Sequence, residues 1–127
     1  MHSHPVTIYY EDTDALGIVY HANYLKYFER ARTEYLKSLE VDLNDLFNDH
    51  GLCFVLKQIA VDYKAPAKLN DNLVVKTEVA LKKQIRSIWH QTIWKDHQLI
   101  TTAQCEVVCI NQKGQPQKWP TMLQSIL

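Results

Sequence analysis

The chain is 127 residues long, 46% apolar and 22% charged, a balance that supports a packed core and excludes a disordered chain or a coiled coil. Fourteen basic and fourteen acidic side chains cancel to a formal charge of zero, whereas a nucleic-acid-binding surface is marked by a basic excess, so no nucleic-acid partner is expected. No apolar run approaches the roughly 20 residues of a membrane-spanning helix, and the opening MHSHPVTIYYEDTD lacks the apolar stretch of a secretion signal. The expectation is one cytoplasmic domain over 1–127, without membrane insertion.

In chain order, His2 and His4 stand at the terminus and read as a mobile end. PVTIYY, 5–10, is β-branched and aromatic and predicts a first strand. EDTDALG, 11–17, is dense in turn formers and acids. From 22 to 39 the period changes: Tyr24, Phe28, Ala31, Tyr35 and Leu39 recur at helical spacing, with Lys26, Glu29, Arg30, Thr33, Glu34 and Lys37 mostly on the other face. Arg30 and Glu34 are neighbours one turn apart, an ion pair of marginal value. Segment 41–51 reads as a short helix ending at Gly51.

After Gly51 the pattern is β. A strand over 53–67 ends before Pro66, and 71–83 alternates with Leu73, Val75, Thr77, Val79 and Leu81 on one face. A strand over 86–96 turns at Asp96-His97 into 98–110, where Leu99, Thr101, Ala103, Cys105, Val107 and Cys109 share a face. NQKGQP, 111–116, is a turn. Cys53, Cys105 and Cys109 are an odd, scattered set rather than a disulfide framework. Cys105 and Cys109 would lie about 13 Å apart along a strand, too far to grip one metal ion, and read as buried thiols. Strand, long helix, then four strands is an α+β order: one antiparallel sheet with a helix packed on it. An edge formed by 71–83 or 98–110 would invite pairing with another chain.

The chemistry concentrates between Tyr9 and Leu36. Asp12 and Asp14 fall between a strand and a long helix, followed by Gly17, Ile18 and Val19, with Tyr20, His21 and Asn23 at the helix start. The first turn of a helix has unpaired N–H groups that can hold a developing oxyanion. A carboxylate held beside them can act as nucleophile or general base. Taken alone, the same residues also suit an ordinary turn and helix cap, although the crowding of Tyr20, His21, Asn23, Tyr24 and Tyr27 exceeds what a helix entry needs.

The run Asp12-Thr13-Asp14, Gly17, Val19-Tyr20-His21, Asn23-Tyr24, with Phe28-Glu29-Arg30-Ala31-Arg32, Val61-Asp62-Tyr63 and Ala65-Pro66-Ala67, closely resembles the hotdog-fold acyl-CoA thioesterases of the 4-hydroxybenzoyl-CoA thioesterase class, nearest to the Tol–Pal-associated, YbgC-like group. The resemblance covers about 6–110. It implies a hotdog fold, a long helix wrapped by a five-stranded antiparallel sheet, and a homodimer or homotetramer with active sites at the subunit interface. It implies hydrolysis of short aliphatic or aromatic acyl-CoA to free acid and CoA without cofactor or metal, an acyl carrier protein thioester being the other carrier. Asp14 matches the catalytic carboxylate and His21 the histidine at the helix start, whose N–H would polarise the thioester carbonyl. Asp12 would tie down the loop around Gly17, and Tyr20, Asn23 and Tyr24 would line the acyl pocket or order the helix entry. Lys82, Lys83, Arg86 and Ser87 would meet the CoA nucleotide, commonly from the neighbouring subunit, with Lys64 and Lys68 as a second basic pair. Leu16 stands where close relatives often carry Gly. The competing readings are a hotdog dehydratase or isomerase, and a non-catalytic acyl-binding scaffold.

Overall fold

The computed structural model describes residues 1–124. Strands β1 (His2–Thr7), β2 (Leu52–Tyr63), β3 (Asn72–Lys82), β4 (Arg86–Lys95) and β5 (Gln98–Asn111) form one antiparallel sheet in the order β1-β3-β4-β5-β2. Helix α1 (Asn23–Ser38) crosses one face of it, the shorter α2 (Leu43–His50) leads into β2, and α3 (Thr121–Gln124) ends the described chain. This is the α+β layout expected from the order of elements, and the hotdog arrangement that the resemblance implies.

Apolar side chains at helical spacing put α1 on the sheet: Tyr24, Tyr27, Phe28, Ala31 and Leu36 are buried. They meet Val75, Trp89, Ile93, Ala103, Cys105 and Cys109 from the strands. The stripe is rotated slightly from its expected line, since Tyr35 and Leu39 are only partly buried. Glu34 pairs with Lys37 at 3.1 Å, and the expected Arg30 pair does not form. Asp42 caps α2 by accepting from the N–H groups of Asn44 and Asp45, and Gly51 ends it at a φ of 65°, a left-handed position natural to glycine.

A polar cluster is sealed under α1. Arg32, Gln91, Thr77 and Cys105 are all buried. Arg32 Nη1 donates to Gln91 Oε1 at 2.8 Å and to Cys105 Sγ at 3.2 Å, while Nη2 reaches Glu29. The Gln91 amide donates to the carbonyl of Phe28 at 2.9 Å and to Thr77 Oγ1 at 3.0 Å. One side chain of β4 thus ties helix and sheet together. Cys105 and Cys109 are buried and free. Burial raises both thiols, Cys109 to about 11 with the nearby Cys53 adding to the effect.

Several boundaries differ from expectation. The first strand starts at His2 because β3 offers it a ladder down to Thr77, so His2 and His4 are strand residues and not a free end. The His2 ring packs 5.9 Å from that of Tyr35. Tyr10–Asp12 leave the strand in a single 3-10 turn. A bulge between Ile93 and Trp94 pairs Ile93 with Thr101 and Trp94 with Leu99. It breaks the alternation of β5, and Ile100 and Thr101 are both buried. The Ile100 carbonyl then accepts from the N–H groups of Lys64 and Ala65, at 2.8 and 3.1 Å, which draws the chain off the end of β2.

The edges also differ. β3 and β5 lie inside the sheet, so neither is the open edge expected for 71–83 or 98–110; the edges are β1 and β2. β1 is 6 residues long and carries Pro5, features that blunt an edge. β2 runs for 12 residues and exposes Val55 and Leu56. The C-terminal stretch, in which the sequence shows no readable signal, returns to the core: Trp119 and Leu123 are buried. Trp119 Nε1 donates to the Lys83 carbonyl at 2.7 Å.

Candidate active site

The loop between β1 and α1 is built from its acids. Asp12 Oδ2 accepts the N–H of Tyr9 at 2.8 Å, and the Asp12 carbonyl accepts from the Tyr20 N–H and from Asn23 Nδ2, each at 2.9 Å. Asp12 and Asn23 therefore bind the loop to the helix entry. Asp14 opens a tight turn: its carbonyl accepts the Gly17 N–H at 3.0 Å, and its Oδ1 accepts the Leu16 N–H at 2.8 Å. Gly17 closes that turn at a φ of 77°, a conformation other residues adopt only at a cost. Leu16 fits at the exposed tip, and its φ is not positive. Thr13 then bridges Val19, and Ile18 bridges Lys68. The Asp14 N–H donates to the Ile18 carbonyl at 2.9 Å, so Asp14 sits directly across the loop from Ile18.

The start of α1 is left open. Ala22 occupies the N-cap position and no side chain caps it. Among the described residues the backbone N–H groups of His21 and Ala22 meet no protein acceptor. These are the orphan donors and positive dipole end of a helix N-terminus. Tyr63 Oη donates to the His21 carbonyl at 3.0 Å and fixes the turn that presents them. A cavity of about 280 Å³ opens there, walled by Val19, Ile18, His21, Tyr24, Tyr63 and Pro66 and rimmed by Lys64. The exposed Tyr20 ring lies 4.6 Å from that of His21. Tyr24 Oη accepts the Ala67 N–H at 3.3 Å, which docks the Ala65-Pro66-Ala67 segment on the helix. Burial raises the Tyr24 phenol; Tyr27 is pushed up further, first by burial and then by the Asp12 carboxylate.

Behind the cavity, Asp71 holds the 68–71 turn. Its Oδ2 accepts the Lys68 N–H at 2.8 Å, and its Oδ1 meets Lys95 Nζ at 2.9 Å. Burial works against its charge, but that hydrogen bond and Lys95 outweigh it and hold the carboxyl below its ordinary value.

Of the expected residues, His21 and Tyr24 line the cavity; Tyr20 packs on His21, Asp14 and Gly17 lie in the adjoining loop, and Asp12 and Asn23 tie that loop to the helix entry. The site does not include Lys82, Lys83, Arg86 or Ser87, which lie at the opposite end of the sheet. Ser87 is fully buried; its Oγ accepts from Trp89 Nε1 at 2.7 Å and donates to the Val107 carbonyl at 3.3 Å, so it has no surface to offer a ligand. Arg86 pairs with Glu106 at 3.2 Å, and Lys82 Nζ donates to the carbonyls of Leu123 and Gln124. Tyr63 is the site residue that sequence reasoning left without a role, although Val61-Asp62-Tyr63 was part of the resemblance.

Fold and site together define a hotdog-type thioesterase architecture. The chain belongs to the thioesterase-like superfamily, whose sequence profile matches residues 9–127. It is 45% identical over 109 residues to the acyl-CoA thioesterase YbgC of Haemophilus influenzae, an alignment covering 86% of this chain and 80% of that one. It is 38% identical over 118 residues to the acyl-CoA thioester hydrolase YbgC of Escherichia coli, covering 91% and 87%. Among solved structures, a probable thioesterase from Bartonella henselae superposes with a TM-score of 0.90 at 31% identity, covering 94% of this chain and 98% of that one. A 1,4-dihydroxy-2-naphthoyl-CoA thioesterase from Synechocystis gives 0.89 at 25% identity, covering 96% and 91%.

Proposed function

We propose that this protein hydrolyses acyl-CoA thioesters to the free acid and coenzyme A. The observation that carries the reading is the uncapped start of α1, with the N–H groups of His21 and Ala22 unpaired beside an apolar cavity whose loop wall is bonded to Asp14. A thioester carbonyl oxygen placed on those donors gains charge as its carbon is attacked, and the donors stabilise it without reorganising. Asp14 supplies the attack in one of two ways. Its carboxylate adds to the carbonyl carbon, the C–S bond breaks, CoA leaves as thiolate, and water cleaves the resulting anhydride. Alternatively it takes a proton from a water that adds to the carbon, and the tetrahedral intermediate expels the thiolate. The cavity, walled by Val19, Tyr24, Tyr63 and Pro66, suits a short aliphatic or single-ring acyl group.

The open β2 edge supports a two-fold assembly. The cavity lies at the Trp94 end of β4, because Lys64 and Ala65 bond Ile100. Lys83 and Arg86 lie at its start, eight residue steps or roughly 26 Å away at about 3.3 Å per residue. Antiparallel pairing of the open β2 edge with that of a second copy reverses the partner sheet and carries the partner's basic end to this protomer's cavity. A two-fold dimer with two composite sites is the arrangement we favour, and tetramers would be pairs of it.

The test is thiol release from a panel of acyl-CoAs by the wild type and Asp14→Asn. Asn keeps the shape and loses the charge, so kcat should fall at least about 100-fold with KM nearly unchanged. Retention of more than a tenth of kcat refutes the role of Asp14, and release at the buffer rate for every substrate refutes the hydrolase reading.

A further inference from the structure

Tyr63 is the last residue of β2 and faces Thr101 of β5 in the ladder. Beyond it the chain is drawn off the sheet, because the N–H groups of Lys64 and Ala65 both bond the Ile100 carbonyl. The Tyr63 ring lies 6.3 Å from that of His21 and 5.6 Å from that of Tyr24. Its hydroxyl donates to the His21 carbonyl at 3.0 Å. That carbonyl stands one residue before the Ala22 N-cap, where the helical ladder has not yet begun. Among the described residues no other donor reaches it.

The two open N–H groups at the helix start belong to different peptide units, and the structure supports them differently. The His21 N–H shares a planar unit with the Tyr20 carbonyl, which accepts the Asn23 N–H at 2.8 Å, so the helix entry itself holds that unit. The Ala22 N–H shares its unit with the His21 carbonyl, which is held from β2 by Tyr63. No peptide bond among the described residues is cis, so in that unit the N–H points away from the carbonyl, outward from the start of the helix. A hydrogen bond into the carbonyl acts on the N–H at the other side of the plane in two ways. It fixes the plane, and with it the direction of the N–H. It also draws charge from the amide nitrogen, which strengthens the donor by about 10–30% in a hydrogen-bonded chain.

From this geometry we infer that Tyr63 is a positioning residue for the thioester oxygen: acting through the His21–Ala22 peptide, it aims the Ala22 N–H as a second donor beside that of His21. The inference rests on the acyl-CoA hydrolase reading for the identity of that oxygen. Tyr63 keeps its proton throughout, and its hydroxyl touches no reacting atom. The charge that gathers on the oxygen in the transition state is shared between two fixed dipoles, and the second is aimed only while β2 holds it.

The experiment uses the full chain and three variants. Tyr63→Phe keeps the ring beside His21 and Tyr24 and removes the donor. Ala22→Pro removes the second N–H outright; Ala22 has a φ of −69° and its N–H bonds no protein group, so proline suits the position. The third variant joins the two changes. Tyr63→Phe should lower kcat about tenfold with KM within twofold, and Ala22→Pro should lower it about 100-fold, the lower end for one oxyanion donor. In the double variant the Tyr63 change should cost nothing beyond Ala22→Pro. A ketone analogue of benzoyl-CoA, with methylene in place of the thioester sulfur, reads the donors by infrared spectroscopy without turnover. Its carbonyl stretch should fall on binding to the wild type and fall less on binding to Tyr63→Phe, an arm that stands even where Ala22→Pro does not fold. A kcat within twofold of wild type in Tyr63→Phe, losses that multiply in the double variant, or a ketone stretch unmoved by Tyr63→Phe overturns the inference and leaves wild-type hydrolysis untouched. A Tyr63-dependent stretch in a protein that releases no thiol from any acyl-CoA would keep the positioning role and remove the hydrolase reading alone.

Discussion

Replacing Gln91 by Leu tests whether the polar cluster under α1 holds the helix in place. Leu is close to Gln in volume, so little cavity is made and the loss is chiefly of hydrogen bonds. Gln91 donates to the Phe28 carbonyl at 2.9 Å and to Thr77 Oγ1 at 3.0 Å, and accepts from Arg32 at 2.8 Å. Two neutral bonds at about 1 kcal/mol each and one charged bond at about 1.5–3 kcal/mol sum to roughly 4 kcal/mol. Glu29 still holds the other nitrogen of Arg32, and Leu gains apolar burial, so the expected loss is about 3 kcal/mol. That corresponds to a fall in Tm of about 10 °C for a domain of this size. Urea titration followed by tryptophan fluorescence measures it. Most of the loss comes from a buried guanidinium left short of acceptors, so removing the guanidinium too should recover stability. Arg32→Met with Gln91→Leu should cost about 1 kcal/mol, less than either single change, a coupling of at least about 2 kcal/mol. Single-variant losses below about 1 kcal/mol, or a double variant whose loss equals the sum of its parents, would refute the argument.

Three further outcomes are expected. His21→Ala should lower kcat about 100-fold, the ring contributing beside the backbone N–H, where the N–H alone would leave a loss of tenfold or less; a loss under threefold refutes a role for the ring. Asp71→Asn should lower stability near neutral pH by about 1–2 kcal/mol. Because the folded carboxyl titrates below its ordinary value, its contribution is present above the unfolded pKa and vanishes as pH falls through the folded one; wild type and variant stabilities should therefore converge on acidification, and a constant gap down to pH 2 would contradict it. Mixing Asp14→Asn protein with a Lys82, Lys83, Arg86→Ala triple variant should regain activity, since one site of each mixed dimer is intact, while an active monomer in light scattering defeats the composite site.

Much of the fold was legible because period alone separates α1 from the strands that follow. The loop was legible as a cluster of acids before a helix, and its turn chemistry at Asp14 and Gly17 follows from residue type. What escaped was everything set by long-range register. The bulge at Ile93 and Trp94 depends on how β4 and β5 meet, and no local pattern announces that Ile100 turns inward beside Thr101. Edge assignment failed for a similar reason: alternation says that 71–83 and 98–110 are strands, but strand order says which ones are covered. The resemblance groups Ser87 with Lys82, Lys83 and Arg86, yet alternation on β4 sends it inward, where its hydroxyl accepts from Trp89.

The return of the tail to the core also governs how the molecule comes into being. Trp119 and Leu123 fill the same core as Ile8 and Val19, and β1 finds its ladder partner about seventy positions away at Asn72–Lys82. Such distant pairings close slowly, because the chain entropy of each large loop is lost before its contacts form. During synthesis the sheet can begin to assemble only when β3 emerges, and its core cannot seal until Leu123 has followed. Until then the apolar faces of α1 and β2 stay open to solvent, an interval in which a wrong edge can compete with the right one.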